Sequence, residues 1–385
     1  MIDGPCVLDN VPDISDVRVM IELCRSIGAT IEFDGPYTLK IDPRTINTYK
    51  AVGPLVSKIR ASYYLLGALL ARTGKASLRM PGGCNFGQRP IDLHLKAFAA
   101  MGAKGADPRE IEGGIVTLEA DPLVGRKIFL DIVSVGATIN VMLAAAKAFG
   151  TTIISNAAKE PHIVDVANFL NAMGASIRGA GTDTIRVVGV PFLRGNFSYS
   201  IIPDQIEAGT YMIAAAVTNG DVTIHNLIPT HMDPLSAKMR EMGYTIEEGD
   251  ESIRVYKQEG VTIEGTNFKT SPYPGFPTDL QPQAVVLLCL ANGMSKMHEN
   301  VWQNRFQYIP ELSKMGACLL YTSDAADDLL CVDLGGRRII KKKIKSYCIN
   351  NYETVILHKN ITMEPITNNY TTTTSTYLMR LTNKQ

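Results

Sequence analysis

A cysteine stands among glycines, five residues ahead of an arginine, in Pro81-Gly82-Gly83-Cys84-Asn85-Phe86-Gly87-Gln88-Arg89-Pro90-Ile91-Asp92-Leu93-His94. Gly82, Gly83 and Gly87 allow sharp turns and close approach to a ligand. A thiol on such a partly exposed loop can act as nucleophile or as proton donor. Pro90 suits a first helical position, and Leu93, Ala97 and Met101 recur at helical spacing, so Arg89 is expected at a helix N-terminus. A guanidinium beside free N–H groups suits a carboxylate or a phosphate. Taken as a CxxxxR pattern alone, the same residues also fit a glycine-rich turn with a buried free cysteine.

Three further places offer chemistry. Ser134-Val135-Gly136-Ala137-Thr138 reads as a helix start capped by Ser134, with free N–H groups able to hold a diphosphate. In Pro274-Gly275-Phe276-Pro277-Thr278-Asp279-Leu280-Gln281, either Thr278 or Asp279 reads locally as a helix N-cap. Arg60, in Lys58-Ile59-Arg60-Ala61-Ser62, reads locally as a solvated helix charge.

Composition narrows the class. The 385 residues have room for two or three domains, and 45% apolar with 20% charged residues is ordinary for a globular protein. Lysine plus arginine and aspartate plus glutamate number 38 each, so no global basic field invites nucleic acid or a membrane surface. No apolar run reaches membrane-span length, and the first residues lack the charged-then-apolar signature of a secretion signal. Seven irregularly spaced cysteines point to reduced thiols in a cytoplasm. The six histidines show no HxxxH or Cys-pair spacing, so no metal site is expected; no cofactor is expected either.

The elements that must position these residues repeat. Helical segments stop at Gly28, Gly102, Gly174, Gly243 and Gly316, spaced 74, 72, 69 and 73 residues apart. Each glycine fits a left-handed position just past a helix end. Short alternating strands follow several of them, as in Thr30-Ile31-Glu32, Ser176-Ile177-Arg178 and Thr245-Ile246-Glu247. A second series, Ala61 to Arg72, Ala137 to Phe149, Ala208 to Asn219 and Pro282 to Asn292, is nearly all apolar, and Gly74, Gly150, Gly220 or Gly293 follows. Helices apolar all round must be buried. A unit of about 70 residues is therefore repeated about five times, each needing its neighbours to cover its apolar face.

The stretch from Met80 to His94, together with the SVGAT and FPTDLQ segments, resembles the UDP-N-acetylglucosamine 1-carboxyvinyltransferases, the enolpyruvyl transferases of peptidoglycan synthesis. The resemblance runs from the first residues to Ala317. It implies an α/β fold of two inverse α/β prisms, incomplete here: 1–202 as a first prism lacking its N-terminal segment, and 203–317 as part of a second. It implies transfer of enolpyruvate from phosphoenolpyruvate to the 3-hydroxyl of UDP-N-acetylglucosamine, through a tetrahedral phospholactoyl intermediate, with release of phosphate. By the same resemblance Cys84 is the proton donor and Arg89 belongs to the phosphoenolpyruvate pocket. Pro90, Ile91, Asp92 and Leu93 cradle the uridine end, and Ser134, Val135 and Gly136 hold the UDP moiety. Arg60 faces the substrate cleft. Asp279 is the base for the sugar hydroxyl, a carboxylate expected to lie out of water near an anionic ligand. Val301 lines the sugar pocket, with Arg305 in its neighbourhood. Glu160, Asp204 and Glu207 match motifs near the connections between domains. Ile132 replaces a lysine of some relatives. The family's Lys-Asn pair would precede Met1, and two further arginines would follow Ala317, so this chain is expected to be an inactive fragment lacking most of its cation cage.

After Ala317 the repeat phase is lost. Cys318-Leu-Leu-Tyr-Thr-Ser-Asp-Ala-Ala-Asp-Asp328 through Lys341-Lys-Lys-Ile-Lys345 reads as a translated sequencing adapter, followed by low-complexity text rich in asparagine and threonine. Residues 318–385 are therefore expected to be a non-native or disordered tail. Three other functions are the alternatives: the sister enzyme 3-phosphoshikimate 1-carboxyvinyltransferase, a non-catalytic nucleotide-sugar binder, and a thiol hydrolase. The last needs a basic histidine partner for Cys84, and nothing in the sequence identifies one. With the missing segments restored, the epoxide fosfomycin should alkylate Cys84. Peptide mass spectrometry checks this, and an adduct on Cys24 or Cys289 instead would reject the assignment.

Overall fold

A computed structural model describes residues 1–82, 90–302, 304–322 and 352–356. The chain divides into two compact units, Met1–Pro203 and Asp204–Gln385. Among the described residues, no helix is long and apolar enough to cross a membrane.

The first unit runs β1 (Cys6–Asp9), α1 (Ser15–Ser26), β2 (Thr30–Phe33), β3 (Leu39–Asp42), β4 (Lys50–Ala51), α2 (Tyr64–Thr73), β5 (Lys75–Arg79) and α3 (Asp92–Ala100). It continues β6 (Ile115–Glu119), β7 (Lys127–Phe129), α4 (Val135–Ala145), β8 (Thr151–Ser155), α5 (Pro161–Ala172), β9 (Ser176–Arg178), β10 (Thr184–Val188) and β11 (Phe197–Ser200). The second unit runs α6 (Gln205–Val217), β12 (Val222–His225), α7 (Asp233–Met242), β13 (Thr245–Glu248), β14 (Ser252–Tyr256) and β15 (Asn267–Lys269). After these come α8 (Gln281–Leu288), β16 (Ser295–Glu299), α9 (Ile309–Lys314), β17 (Leu319–Thr322) and β18 (Tyr352–Ile356).

The sheet orders confirm the repeat and define it. A strand, an amphipathic helix and two more strands form each unit, and the third strand pairs between the other two: β1-β3-β2, β8-β10-β9, β12-β14-β13 and β16-β18-β17. The repeat built on β5 and β6 replaces one strand by a single bridge, Lys104 to Glu119. A strand from elsewhere joins four of the five sheets in parallel: β11 on β1, β4 on β5, β7 on β8 and β15 on β16. The partners β1 and β11 lie just over 190 residues apart in sequence and close the first unit, with Cys6 opposite Phe197. Of the tail, expected to stand outside the repeat, Leu319–Thr322 and Tyr352–Ile356 do pair, as the second and third strands on β16. The Tyr-Glu-Thr-Val-Ile run of β18 has the β-branched and aromatic content that suits a strand. Apart from Cys318, the rest of the tail lies outside the described residues.

Local chemistry explains the helix ends. Gly28, Gly102, Gly174, Gly243 and Gly316 all adopt the expected left-handed conformation, with φ between 94° and 108°. After the buried helices Gly74, Gly150 and Gly293 do the same, but at Gly220 the left-handed residue is the preceding Asn219. Asparagine tolerates that region better than other side chains. All-round burial holds best for α4, where nine of the 11 residues are buried and α2, α3 and α5 all pack against it. By contrast α6 leaves Tyr211 at 57% and α8 leaves Val286 at 37% exposure.

The crossing of α2 over α4 is the tightest helix contact that bears on the site. A Cβ at Gly67 would run into the backbone and side-chain oxygens of Asn140. Gly to Ala inside a helix ordinarily stabilises by about 0.5–1 kcal/mol. Here the sign should reverse: Gly67→Ala should cost about 2–3 kcal/mol through overpacking, read as a lower urea midpoint with an unchanged slope.

Candidate functional site

In the first unit three of the segments singled out by sequence meet around one tyrosine ring. Arg60 opens a 3-10 turn, Arg60–Tyr63, that leads into α2. Its guanidinium lies over the Tyr63 ring, 5.4 Å from the centroid. The same ring meets the edge of His94, with centroids 4.8 Å apart. Gly136, in the first turn of α4, presses on both: a Cβ there would come within 2.5 Å of the Tyr63 hydroxyl and 3.2 Å of His94 Cε1. Arg60, the N-terminal turn of α3 and the N-terminal turn of α4 are thus locked together.

A buried amide holds that arrangement. Asn140 Oδ1 accepts from the Gly67 N–H at 2.9 Å, and Asn140 Nδ2 donates to the Tyr63 carbonyl at 2.9 Å. These two backbone partners settle the amide's orientation. Its Nδ2 therefore also donates to His94 Nδ1 at 3.0 Å, which places the histidine proton on Nε2. Burial, with the Arg60 charge second, pushes the His94 pKa down to about 4, while Asp92 opposes weakly. A neutral imidazole is what Asn140 can serve, since a proton on Nδ1 would face a donor.

The helix starts differ from one another. Ser134 is the N-cap of α4 as expected, its hydroxyl accepting from Ala137 N–H at 3.3 Å. Val135 and Gly136 form the first turn, and the positive end of α4 there suits an anion. Pro90 is not a first helical residue: α3 starts at Asp92 with Ile91 as its N-cap. Pro90 is exposed, Ile91 buried, Asp92 exposed and Leu93 half-buried. Cys84 and Arg89 lie outside the described residues. Elsewhere burial pushes the thiols of Cys24 and Cys289 up to about 11, so both remain protonated and poorly reactive near neutral pH.

In the second unit Thr278 and Asp279 occupy a 3-10 turn, Thr278–Leu280, whose N-cap is Pro277, and α8 is capped by Leu280. Neither residue is the helix cap that the local pattern suggests. Asp279 instead pairs with Arg305, Nη2 to Oδ1 at 2.8 Å, its own side chain 60% exposed and that of Arg305 10% exposed. Within its unit the carboxylate thus faces solvent on one side, rather than lying out of water. Thr278 donates to Glu299 Oε2 at 3.0 Å, and the Val301 N–H donates to Glu299 Oε1 at 2.8 Å. Val301 is 37% exposed. Further along the chain, Asp204 is the N-cap of α6, its side chain accepting from Ile206 N–H, and it begins the second unit. Glu160 stands at the N-cap position of α5.

Sequence reading missed Asn140, His94 and Glu299 as organising residues. The signal for Glu299 was legible: in Ser295-Lys-Met-His-Glu299 it shares the inward face with Ser295 and Met297, where a carboxylate is out of place. Asn140 lies in a helix apolar all round, which is a similar signal.

Comparison with known proteins agrees with this architecture. Residues 1–343 match the model of the EPSP synthase (3-phosphoshikimate 1-carboxyvinyltransferase) family. The enolpyruvyl transferase NikO from Streptomyces tendae superposes with a TM-score of 0.74 at 23% identity, over 93% of this chain and 77% of its own. EPSP synthase from Acinetobacter baumannii gives 0.61 at 20% identity, over 84% and 76%. These define the class as an enolpyruvyl transferase fold. UDP-N-acetylglucosamine 1-carboxyvinyltransferase 3 of Caldanaerobacter subterraneus subsp. tengcongensis is 54% identical over 314 residues, 82% of this chain and 73% of that protein. The Clostridium botulinum UDP-N-acetylglucosamine 1-carboxyvinyltransferase is 52% identical over 314 residues, 82% and 74%. The chain belongs to the UDP-N-acetylglucosamine 1-carboxyvinyltransferase family, and is a transferase by that membership.

His94 makes stability depend on pH. The unfolded chain takes up its proton near pH 6.5, the folded chain only near 4. This contribution is complete above about pH 6.5 and is lost as pH falls toward 4, by up to about 1.4 kcal/mol per pH unit. Urea unfolding between those limits should show a shallower pH slope for His94→Gln than for the parent, by close to one proton.

Proposed function

We propose that this chain, restored to the length of its relatives, transfers the enolpyruvyl group of phosphoenolpyruvate to the 3-hydroxyl of UDP-N-acetylglucosamine, with release of phosphate, in cytoplasmic peptidoglycan synthesis. The observation that carries this reading is the 54% identity, over 314 residues, to a UDP-N-acetylglucosamine 1-carboxyvinyltransferase. The presence of Cys84, Arg89 and Asp279 in the sequence supports it.

On this reading Arg60 and the N-terminal turn of α4, with Ser134, Val135 and Gly136, take the charge of the diphosphate. Pro90, Ile91, Asp92 and Leu93 receive the uridine end, and Val301 the sugar. Asp279, oriented by Arg305, accepts the proton of the 3-hydroxyl as its oxygen attacks C2 of the enolpyruvate. Cys84 delivers a proton to the C3 methylene, giving a tetrahedral phospholactoyl adduct, with Arg89 balancing the charge of the phosphate or carboxylate. Loss of a proton from C3 and departure of phosphate then restore the double bond on the transferred group.

The matching family model takes its name from the shikimate branch, so 3-phosphoshikimate is the acceptor of the second reading. Calorimetry separates the two, with UDP-N-acetylglucosamine expected to bind and shikimate 3-phosphate not. In the enzyme restored to the length of its relatives, Asp279→Asn should abolish phosphate release. UDP-N-acetylglucosamine binding should stay within about tenfold, or about 1.4 kcal/mol, of the parent. Near-normal turnover of that variant would remove Asp279 from the chemistry.

A further inference from the structure

Glu299 is a carboxylate buried to 1% exposure that the reaction as described does not use. It ends β16 on the strand's inward face. Its Oε1 accepts from the Thr270 hydroxyl at 2.9 Å, the Val301 N–H at 2.8 Å and the Trp302 N–H at 3.1 Å. Its Oε2 accepts from the Thr278 hydroxyl at 3.0 Å. Thr270 extends the web by accepting from the Asn300 N–H at 2.9 Å, and its carbonyl accepts from Asn300 Nδ2 at 3.0 Å. A charge removed from water is tolerated only when its oxygens are supplied with donors in this way.

The donors are the informative part. Two are backbone N–H groups of the segment that carries Val301. One belongs to Thr278, the immediate neighbour of Asp279 in the same 3-10 turn. These segments lie more than 20 residues apart in sequence and meet on one carboxylate. A purely apolar residue at 299 could fill space but could not fix either backbone, because its contacts have no direction. We propose that Glu299 is a positioning residue, which sets the Asp279 turn and the Val301–Trp302 backbone in register to receive the acceptor sugar. This rests on the reading of Asp279 and Val301 given above.

The test uses the 385-residue chain and UDP-N-acetylglucosamine. Trp302 is the only tryptophan, so its emission reports on the segment directly. Thr278→Val removes the link to the Asp279 turn and leaves the carboxylate in place. Thr278→Ser keeps the hydroxyl. Glu299→Gln keeps the shape but loses the charge and one acceptor. Calorimetry should show Thr278→Val and Glu299→Gln binding about tenfold or more weakly, the scale of a lost charge-assisted hydrogen bond. The number of sites per chain should be unchanged, whereas partial unfolding would lower it. Thr278→Ser should restore affinity to within about twofold of the parent, and the double variant Thr278→Val with Glu299→Gln should be no weaker than the worse single one. Parent-like affinity in both single variants, or additive losses, would overturn the proposal. Should the parent itself fail to bind the sugar nucleotide, the functional reading falls. The positioning claim is then decided by Trp302 emission, which should shift in Thr278→Val and return in Thr278→Ser; an unshifted spectrum would overturn it too.

Discussion

The amide of Asn140 is the interaction on which the first unit's candidate site depends. It is wholly buried, and its three hydrogen bonds reach α2, the turn before α2, and α3. Apolar contacts draw those elements together but set no direction. The amide does, because its donor and acceptor ends are distinct and each faces a backbone group or a ring nitrogen. Arg60, the start of α3 and Gly136 stand around Tyr63 and His94 as a consequence. Close approach of α2 and α4 is the condition, and Gly67 supplies it by having no side chain.

The second unit meets the same requirement with a charge. Glu299 gathers two adjacent backbone N–H groups and two hydroxyls on its two oxygens. In both units a polar group buried among apolar neighbours does what packing alone cannot. Such a group is costly unless satisfied, so its surroundings are narrowly determined, and the segments that satisfy it inherit that precision. The residues expected to face a substrate sit next to these groups in sequence: Asp279 beside Thr278, Val301 two residues after Glu299, and Asp92 two before His94.

The repeat shows how one supersecondary unit tolerates variation. Its amphipathic helices all end at a left-handed glycine, and four sheets share one strand order. Yet the β5–β6 repeat reduces one strand to a bridge, and Asn219 takes over the left-handed position that Gly220 was expected to fill. The helix stop and the one-faced sheet are what each repeat must keep, because they direct its apolar side inward. Strand length and the identity of the turn residue are free within those limits.

Much was legible in the sequence because it is local. The spaced glycines, the alternating strands beginning at Thr30, Ser176 and Thr245, and the Ser134 cap each depend on a few neighbouring residues and the conformations they prefer. The 14 residues around Cys84 and the FPTDLQ segment carried the family. What failed was also local in origin: Pro90 looks like a helix start and Thr278 like a cap, yet α3 begins at Asp92 and the Thr278 hydroxyl turns to Glu299. Tertiary structure alone decided the Thr278 contact, along with the neutral state of His94, the ion pair of Asp279 with Arg305, and the pairing of β1 with β11. Each joins residues from 21 to nearly 200 positions apart, and no preference of a short segment specifies which distant donor, cation or strand will be brought to it. That choice is made by the helices and sheets once they have packed.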